Sequence, residues 1–232
     1  MTQLFETPAP VLAKTSDGHD FPVRHIFCIG RNYADHAKEM GAEVDREAPF
    51  YFTKWAETVI PSGSVMAYPS MTANFHYEAE LVVAIGKGGR NIAAADALGH
   101  VYGYATGLDM TRRDLQLEAR GKGRPWDAGK NVEQSSPLGL IHPLSETGEM
   151  TTGAISLTLN GEVRQQADLA DLIHPIPALI AYLSRAFKLE AGDLIYTGTP
   201  AGVGAVVPGD TIVVSIDGLS DTVITVGQPA DD

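Results

Sequence analysis

The sequence predicts a mixed, β-rich α+β fold, and three observations carry that expectation. Strand-like apolar segments recur at residues 26–29, 82–85, 102–108, 155–159, 194–196, 211–216 and 222–226, often bounded by Gly, Asn-Gly or Asp-Gly turns. Helical patterns are fewer: a short one over 33–40 and two longer ones over 112–122 and 177–187. The composition is that of an ordinary globular chain, 44% hydrophobic and 20% charged, with no low-complexity tract, fixed-period repeat or linker.

Taken in order, residues 1–24 read as an N-terminal arm, irregular or a short strand, interrupted by prolines and packed on a single domain over 25–232. A chain of 232 residues is long enough for one sizeable core. After the apolar run 26–29, Asn32 is a plausible helix N-cap with Asp35 in the first turn, Tyr33, Ala37 and Met40 follow at helical spacing, and Gly41 supplies a stop. In the last helical pattern Leu179, Ile180, Leu183 and Phe187 line one face before Gly192.

The charge balance excludes several function classes. Lys and Arg number 17 against 29 Asp and Glu, a net charge of −12, which disfavours polyanionic partners because phosphate contacts need basic surface. Nucleic acid and membrane surfaces are therefore not expected partners. No basic region followed by an apolar stretch opens the chain, and no apolar run approaches the ~18 residues of a membrane span, so a cytoplasmic protein is expected. The one cysteine, Cys28, lies in an apolar run and reads as a buried inert thiol, consistent with a reducing compartment.

Chemistry concentrates at five places. Glu78 and Glu80 lie two apart in a strand-like run, so they share a face with His76, and the same face continues inward as Val82 and Ala84. Carboxylates aimed at a core call for a cationic partner, a divalent metal being the natural one; the alternative is an edge strand with a solvated acidic face. Asp109 closes the strand-like segment 102–108, either as a third ligand or as a helix N-cap. Three carboxylates suit Mg²⁺ or Mn²⁺ better than zinc. His36 and Glu39, three apart on the short helix, form a candidate general base with its orienting carboxylate, or an exposed surface pair. Between 112 and 130 six basic side chains stand against three acidic ones, a local positive island suited to a small anionic substrate or simply a solvated helix face. The loop Thr197-Gly198-Thr199-Pro200, with Gly202 and Gly204 beyond, can present N–H groups and hydroxyls to an anion, or serve as a tight turn.

Read in order, residues 29–40 (IGRNYADHAKEM), 76–81 (HYEAEL) and 108–116 (LDMTRRDLQ), then Pro125-Trp126, Lys130 and residues 196–204 (YTGTPAGVG), make the chain resemble the fumarylacetoacetate hydrolase superfamily from about residue 25 onward. The resemblance implies a β-sandwich or β-roll core with short helices, usually dimeric, with the helix of His36 and Glu39 forming part of a lid. It implies Mg²⁺ or Mn²⁺ at Glu78, Glu80 and Asp109, and substrate contacts from Arg113, Gln116, Lys130, Thr199 and the adjoining Gly198. The expected activity is metal-dependent hydrolysis of the carbon–carbon bond of a 3-acylpyruvate, fumarylpyruvate foremost, giving fumarate and pyruvate. His36 and Glu39 would activate water and Lys130 would neutralise developing charge. The alternatives are decarboxylation of oxaloacetate or another β-keto acid, decarboxylation or isomerisation of an unsaturated oxo-diacid, and a non-catalytic metabolite-binding scaffold. Two departures from the common pattern bear on the substrate: Asn131-Val132-Glu133-Gln134 replaces a Phe-Asp type sequence, and Phe52-Thr53-Lys54-Trp55 stands where Lys-Pro is usual.

Overall fold

Ala79–Ile85 is buried along its whole length, and that strand organises the molecule. Its alternate side chains feed two different cores: Leu81, Val83 and Ile85 enter the larger, Val82 and Ala84 the smaller. The computed structural model describes residues 4–6, 8–41 and 47–230 of the chain. Within them Ala79–Ile85 lies between Leu194–Tyr196 and Val101–Leu108, both antiparallel to it, at the centre of an eight-stranded mixed sheet. The alternative of an edge strand with a solvated acidic face is thereby excluded, because the strand of Glu80 is paired on both sides and Glu78 and Glu80 are both buried.

A five-stranded sheet, running Glu162–Asp168, Ala154–Leu159, Thr211–Ile216, Thr222–Pro229 and Val65–Tyr68, packs on the larger core. Ile155, Leu157, Ile212, Val214 and Ile224 alternate inward from it, as the period of two requires. The helix Ile176–Ala186 closes the same core with Leu179, Ile180 and Leu183, each fully buried. It begins one residue earlier than the 177–187 expectation because Pro177 suits the first helical turn, and it ends as Phe187 turns extended to pack on Phe27. Burying each such side chain contributes about 1.5–3 kcal/mol, which supplies the stability that holds charged groups out of water next door.

The smaller core is covered by the arm. Of the arm expected over 1–24, residues 1–3 and 7 lie outside the described residues, as do 42–46, 231 and 232 of the expected domain. The remainder forms a hairpin of Leu12–Lys14 with Asp20–Pro22, and Ala13, Phe21 and Val23 are buried against the second face of the central sheet.

A small three-stranded sheet, Thr111–Arg112, Phe75–Tyr77 and Gly204–Ala205, sits at the end of the central one. Three short chain segments join the two sheets: two cross abruptly, at Glu78 and at Asp109, and the third runs from Leu194–Tyr196 through the 197–203 loop into Gly204–Ala205. The Asp109 N–H donates to the Glu78 carbonyl at 2.9 Å, so the two crossings are tied together. The continuous face drawn from His76 through Glu80 is thus corrected: the ladder breaks at Glu78.

Two expected helix boundaries are also corrected. The short helix is Ala34–Glu39, capped by Tyr33 in extended conformation. Asn32 is not its N-cap; the amide instead donates to the His174 and Thr197 carbonyls at 3.0 and 2.8 Å and accepts the His174 N–H at 2.8 Å. A buried amide with three long-range partners outcompetes a local cap. The helix expected over 112–122 is Arg113–Gly121, preceded by the short strand that follows Asp109, so Asp109 is not a cap either.

Candidate active site

Glu78, Glu80 and Asp109 are 4% or less exposed, and one carboxylate oxygen from each lies within 4.8 Å of those of the other two. Three buried negative charges so close together require compensation, and side chains from three other elements provide most of it. Lys130 Nζ donates to Glu78 Oε2 at 2.6 Å, Asp109 Oδ2 at 2.7 Å and Thr111 Oγ1 at 2.7 Å, which uses all three of its donors. Arg113 Nη2 pairs with Glu78 Oε1, and its Nη1 donates to Gln116 Oε1 at 2.5 Å. Lys54 Nζ donates to Asp109 Oδ1 at 2.9 Å and to the Ser135 carbonyl at 2.6 Å.

Glu80 is left outside this exchange. Its Oε2 accepts the Gly198 N–H at 2.7 Å, and no side-chain cation is bonded to it among the described residues. The two glutamates therefore titrate in opposite directions. Burial would raise Glu78, but Lys130 and Arg113 outweigh it and hold that carboxyl well below the usual range. Burial, reinforced by repulsion from Asp109 and Glu78, pushes Glu80 well above it. A cluster of hard oxygen donors containing one carboxylate without a cation fits a divalent ion such as Mg²⁺ or Mn²⁺.

His36, on the Ala34–Glu39 helix, lines the same cavity as this cluster, and Glu39 holds its ring. The exposed-pair alternative fails for His36, whose side chain is 7% exposed, while Glu39 reaches its Nδ1 at 3.1 Å. Glu39 Oε1 also accepts the Gly202 N–H at 3.1 Å, which ties the helix to the 197–204 loop. Thr199 in that loop accepts from Gln165 Nε2 at 2.8 Å. Gly198 at φ +104° supports the cluster from behind: a Cβ there would come within 2.7 Å of Asn32, so only glycine lets its N–H reach Glu80.

Of the site residues predicted from sequence, all but Glu39 and Gly198 line one cavity. Three further residues join them: Arg120, from the positive island expected to suit an anionic substrate, Trp126, from the Pro125-Trp126 motif, and Lys54, to which the sequence reading gives no role. Lys54 is buried in the strand Phe50–Lys54, and the signal for it was a lysine inside an aromatic run, a residue type almost never buried without acceptors. Arg120 is half-buried, lines the same cavity and donates to the Met40 carbonyl at 2.8 Å. Trp126 also lines it, its ring 4.9 Å from that of Phe50. The positive island of 112–130 is therefore divided: Arg113 and Lys130 turn inward, while Lys122 pairs with Glu118 in solvent.

Paired sheets with buried carboxylates, an oriented imidazole and inward cations at one cavity define an enzyme, by the convergence of acid, base and charge-stabilising groups. Residues 25–227 match the model of the fumarylacetoacetate (FAA) hydrolase C-terminal family. The chain belongs to that family and is a hydrolase acting on carbon–carbon bonds. It is 50% identical over 190 residues to a fumarylpyruvate hydrolase of a Ralstonia species, covering 81% of this chain and 98% of that relative. It is 41% identical over 206 residues to the mitochondrial oxaloacetate tautomerase FAHD1 of Homo sapiens, covering 89% of this chain and 93% of that relative. The crystal structure of fumarylpyruvate hydrolase from Pseudomonas aeruginosa in complex with Mn²⁺ and pyruvate superposes with a TM-score of 0.95 at 49% identity, covering 98% of this chain and all of that one.

Proposed function

We propose that this enzyme cleaves the carbon–carbon bond between the carbonyls of a 3-acylpyruvate, with fumarylpyruvate as its substrate and fumarate and pyruvate as products. The observation that carries the reading is the pairing, across one cavity, of the buried carboxylate cluster with the His36–Glu39 couple. A relative named for that activity and a neighbour holding Mn²⁺ and pyruvate support it.

Glu78, Glu80 and Asp109 would hold the divalent ion. When bound, Mg²⁺ or Mn²⁺ supplies Lewis-acid polarisation of the pyruvoyl oxygens and charge to offset the departing enolate. Glu39 accepts from His36 Nδ1, which leaves Nε2 to take a proton from water as the water oxygen bonds to the acyl carbonyl carbon. The carbon–carbon bond then breaks, its electron pair leaves with the pyruvate fragment, and the proton held on His36 is returned to that fragment. Lys130 and Arg113 keep the cluster electrostatically balanced while negative charge moves through the site. Gln116 and Thr199 fix orientation from the cavity walls. A homodimer is part of this proposal, and sedimentation equilibrium would read it directly.

The relatives named oxaloacetate tautomerases favour a second reading, proton transfer on a β-keto diacid at the same site. The two are separated by metal-stripped protein assayed with Mg²⁺ or Mn²⁺ restored, following fumarylpyruvate loss beside enol–keto exchange and decarboxylation of oxaloacetate. Fumarylpyruvate turnover dominant over both is the expected result; oxaloacetate chemistry with fumarylpyruvate untouched would replace the proposal with the second reading.

A further inference from the structure

The acylpyruvate reading leaves one end of its substrate unaccounted for. Fumarylpyruvate is a dicarboxylate, and only its pyruvoyl end has the chemistry to meet the Glu78, Glu80 and Asp109 cluster. The far carboxylate needs a cation of its own, and the two buried cations at the cluster that line the cavity, Lys130 and Arg113, are already committed. Lys130 has all three donors on Glu78, Asp109 and Thr111, and Arg113 is divided between Glu78 and Gln116.

The helix Arg113–Gly121 supplies another. Arg113, Gln116 and Arg120 follow at spacings of three and four, so they form one row along the face that lines the cavity. The row starts at the carboxylate cluster and advances about 10 Å by Arg120 at 1.5 Å per residue. An extended seven-carbon diacid spans about 8 Å between its terminal carbons, from C–C bonds of about 1.5 Å. A substrate anchored by its pyruvoyl end at the cluster thus carries its second carboxylate past Gln116 to Arg120. Arg120 uses Nη1 on the Met40 carbonyl, and its Nε and Nη2 have no hydrogen-bond partner among the described residues. That anchor fixes the guanidinium while leaving a donor pair for a carboxylate. Met40 is the C-cap of the helix carrying His36 and Glu39, so the same side chain touches the element that holds the base.

We propose that Arg120 is the specificity-determining residue for the distal carboxylate, selecting acylpyruvates that end in an acid over those that end in an alkyl group. The proposal rests on the acylpyruvate reading of the site. Its test compares kcat/KM for fumarylpyruvate with kcat/KM for acetylpyruvate, which keeps the pyruvoyl end and lacks the second carboxylate, in wild-type enzyme, Arg120→Gln and Arg120→Lys with Mg²⁺ present. The expected result is a wild-type preference for fumarylpyruvate that falls about 10- to 100-fold in Arg120→Gln, the loss of one charge-assisted contact, and recovers in part in Arg120→Lys. An unchanged ratio with both rates lowered would overturn it, since Arg120 would then act only by propping Met40. A wild-type enzyme without preference between the two would overturn it as well. Wild-type enzyme inactive on both would instead remove the acylpyruvate reading beneath it.

Discussion

The two walls of the cavity are built in opposite ways. The inner wall is a sheet junction: Glu78 and Asp109 are each held by two of the cations Lys54, Lys130 and Arg113, Glu80 by the Gly198 N–H, and the central strand is buried on both faces. The outer wall is a six-residue helix, Ala34–Glu39, tied to the rest by the Glu39 to Gly202 bond, by Asn32 behind it and by Arg120 on the carbonyl of its C-cap Met40. A helix that short has little intrinsic stability and depends on its tertiary ties. The contrast teaches how unlike supports meet at one cavity: the acids sit where two sheets join, and the imidazole of His36 sits on a helix too short to stand without its neighbours.

Breaking the inner wall at its one carboxylate without a cation should have the largest effect. Glu80→Gln keeps an acceptor for Gly198 and removes a repelling charge, so the protein should fold with an unchanged circular dichroism spectrum and lose metal-dependent turnover by on the order of 10³-fold. Turnover near wild type would break the assignment of Glu80 as a ligand. On the outer wall, His36→Ala should lower fumarylpyruvate hydrolysis by about 10²–10⁴-fold, the range of a missing general base. Oxaloacetate decarboxylation needs no attacking water and should survive in that variant; parallel loss of both activities would contradict the division.

A smaller effect probes the backing of the inner wall. Lys54→Met takes one partner from the buried Asp109 and leaves Lys130 as its remaining cation, so denaturant unfolding should show a loss of about 3 kcal/mol. A variant as stable as wild type would show that Lys130 alone balances the cluster. The smallest effect is at the rim, where His76 Nε2 lies 2.8 Å from Asn74 Oδ1 beside Arg113. Burial, aided by Arg113, lowers its imidazole from 6.5 to about 4. The unfolded chain therefore takes up a proton that the folded state refuses, so this contribution is full above pH 6.5 and is lost as pH falls toward 4. Melting temperature should decline less steeply across that interval in His76→Asn, and matching slopes would rule the contribution out.

Most of the residues that meet at the cavity are legible in the sequence alone. Glu78, Glu80 and Asp109 stood out because acids beside apolar strand patterns need partners, and the i, i+3 spacing of His36 and Glu39 put them side by side on any helix. Local pattern also placed the main strands and the closing helix over Ile176–Ala186. The aromatic run around Lys54 hints that the lysine is buried, but not that its partner is Asp109, 55 residues away. Asn32 read as a cap because caps are local, whereas its actual partners at Thr197 and His174 are 165 and 142 residues distant.

By itself, then, the sequence determined which side chains could do acid, base and cation chemistry and how they were spaced along strands and helices, because periodicity and side-chain type are local properties. Only the tertiary structure decided that Ala79–Ile85 is a central strand rather than an edge, and that Glu78 is matched by two cations while Glu80 has none among the described residues. It also decided that Arg113 is spent on Glu78 and Gln116, while Arg120 lines the same cavity with Nη1 on the Met40 carbonyl. Those outcomes depend on which distant segments meet at the sheet junction, and charge compensation in a buried site is set by neighbours in space.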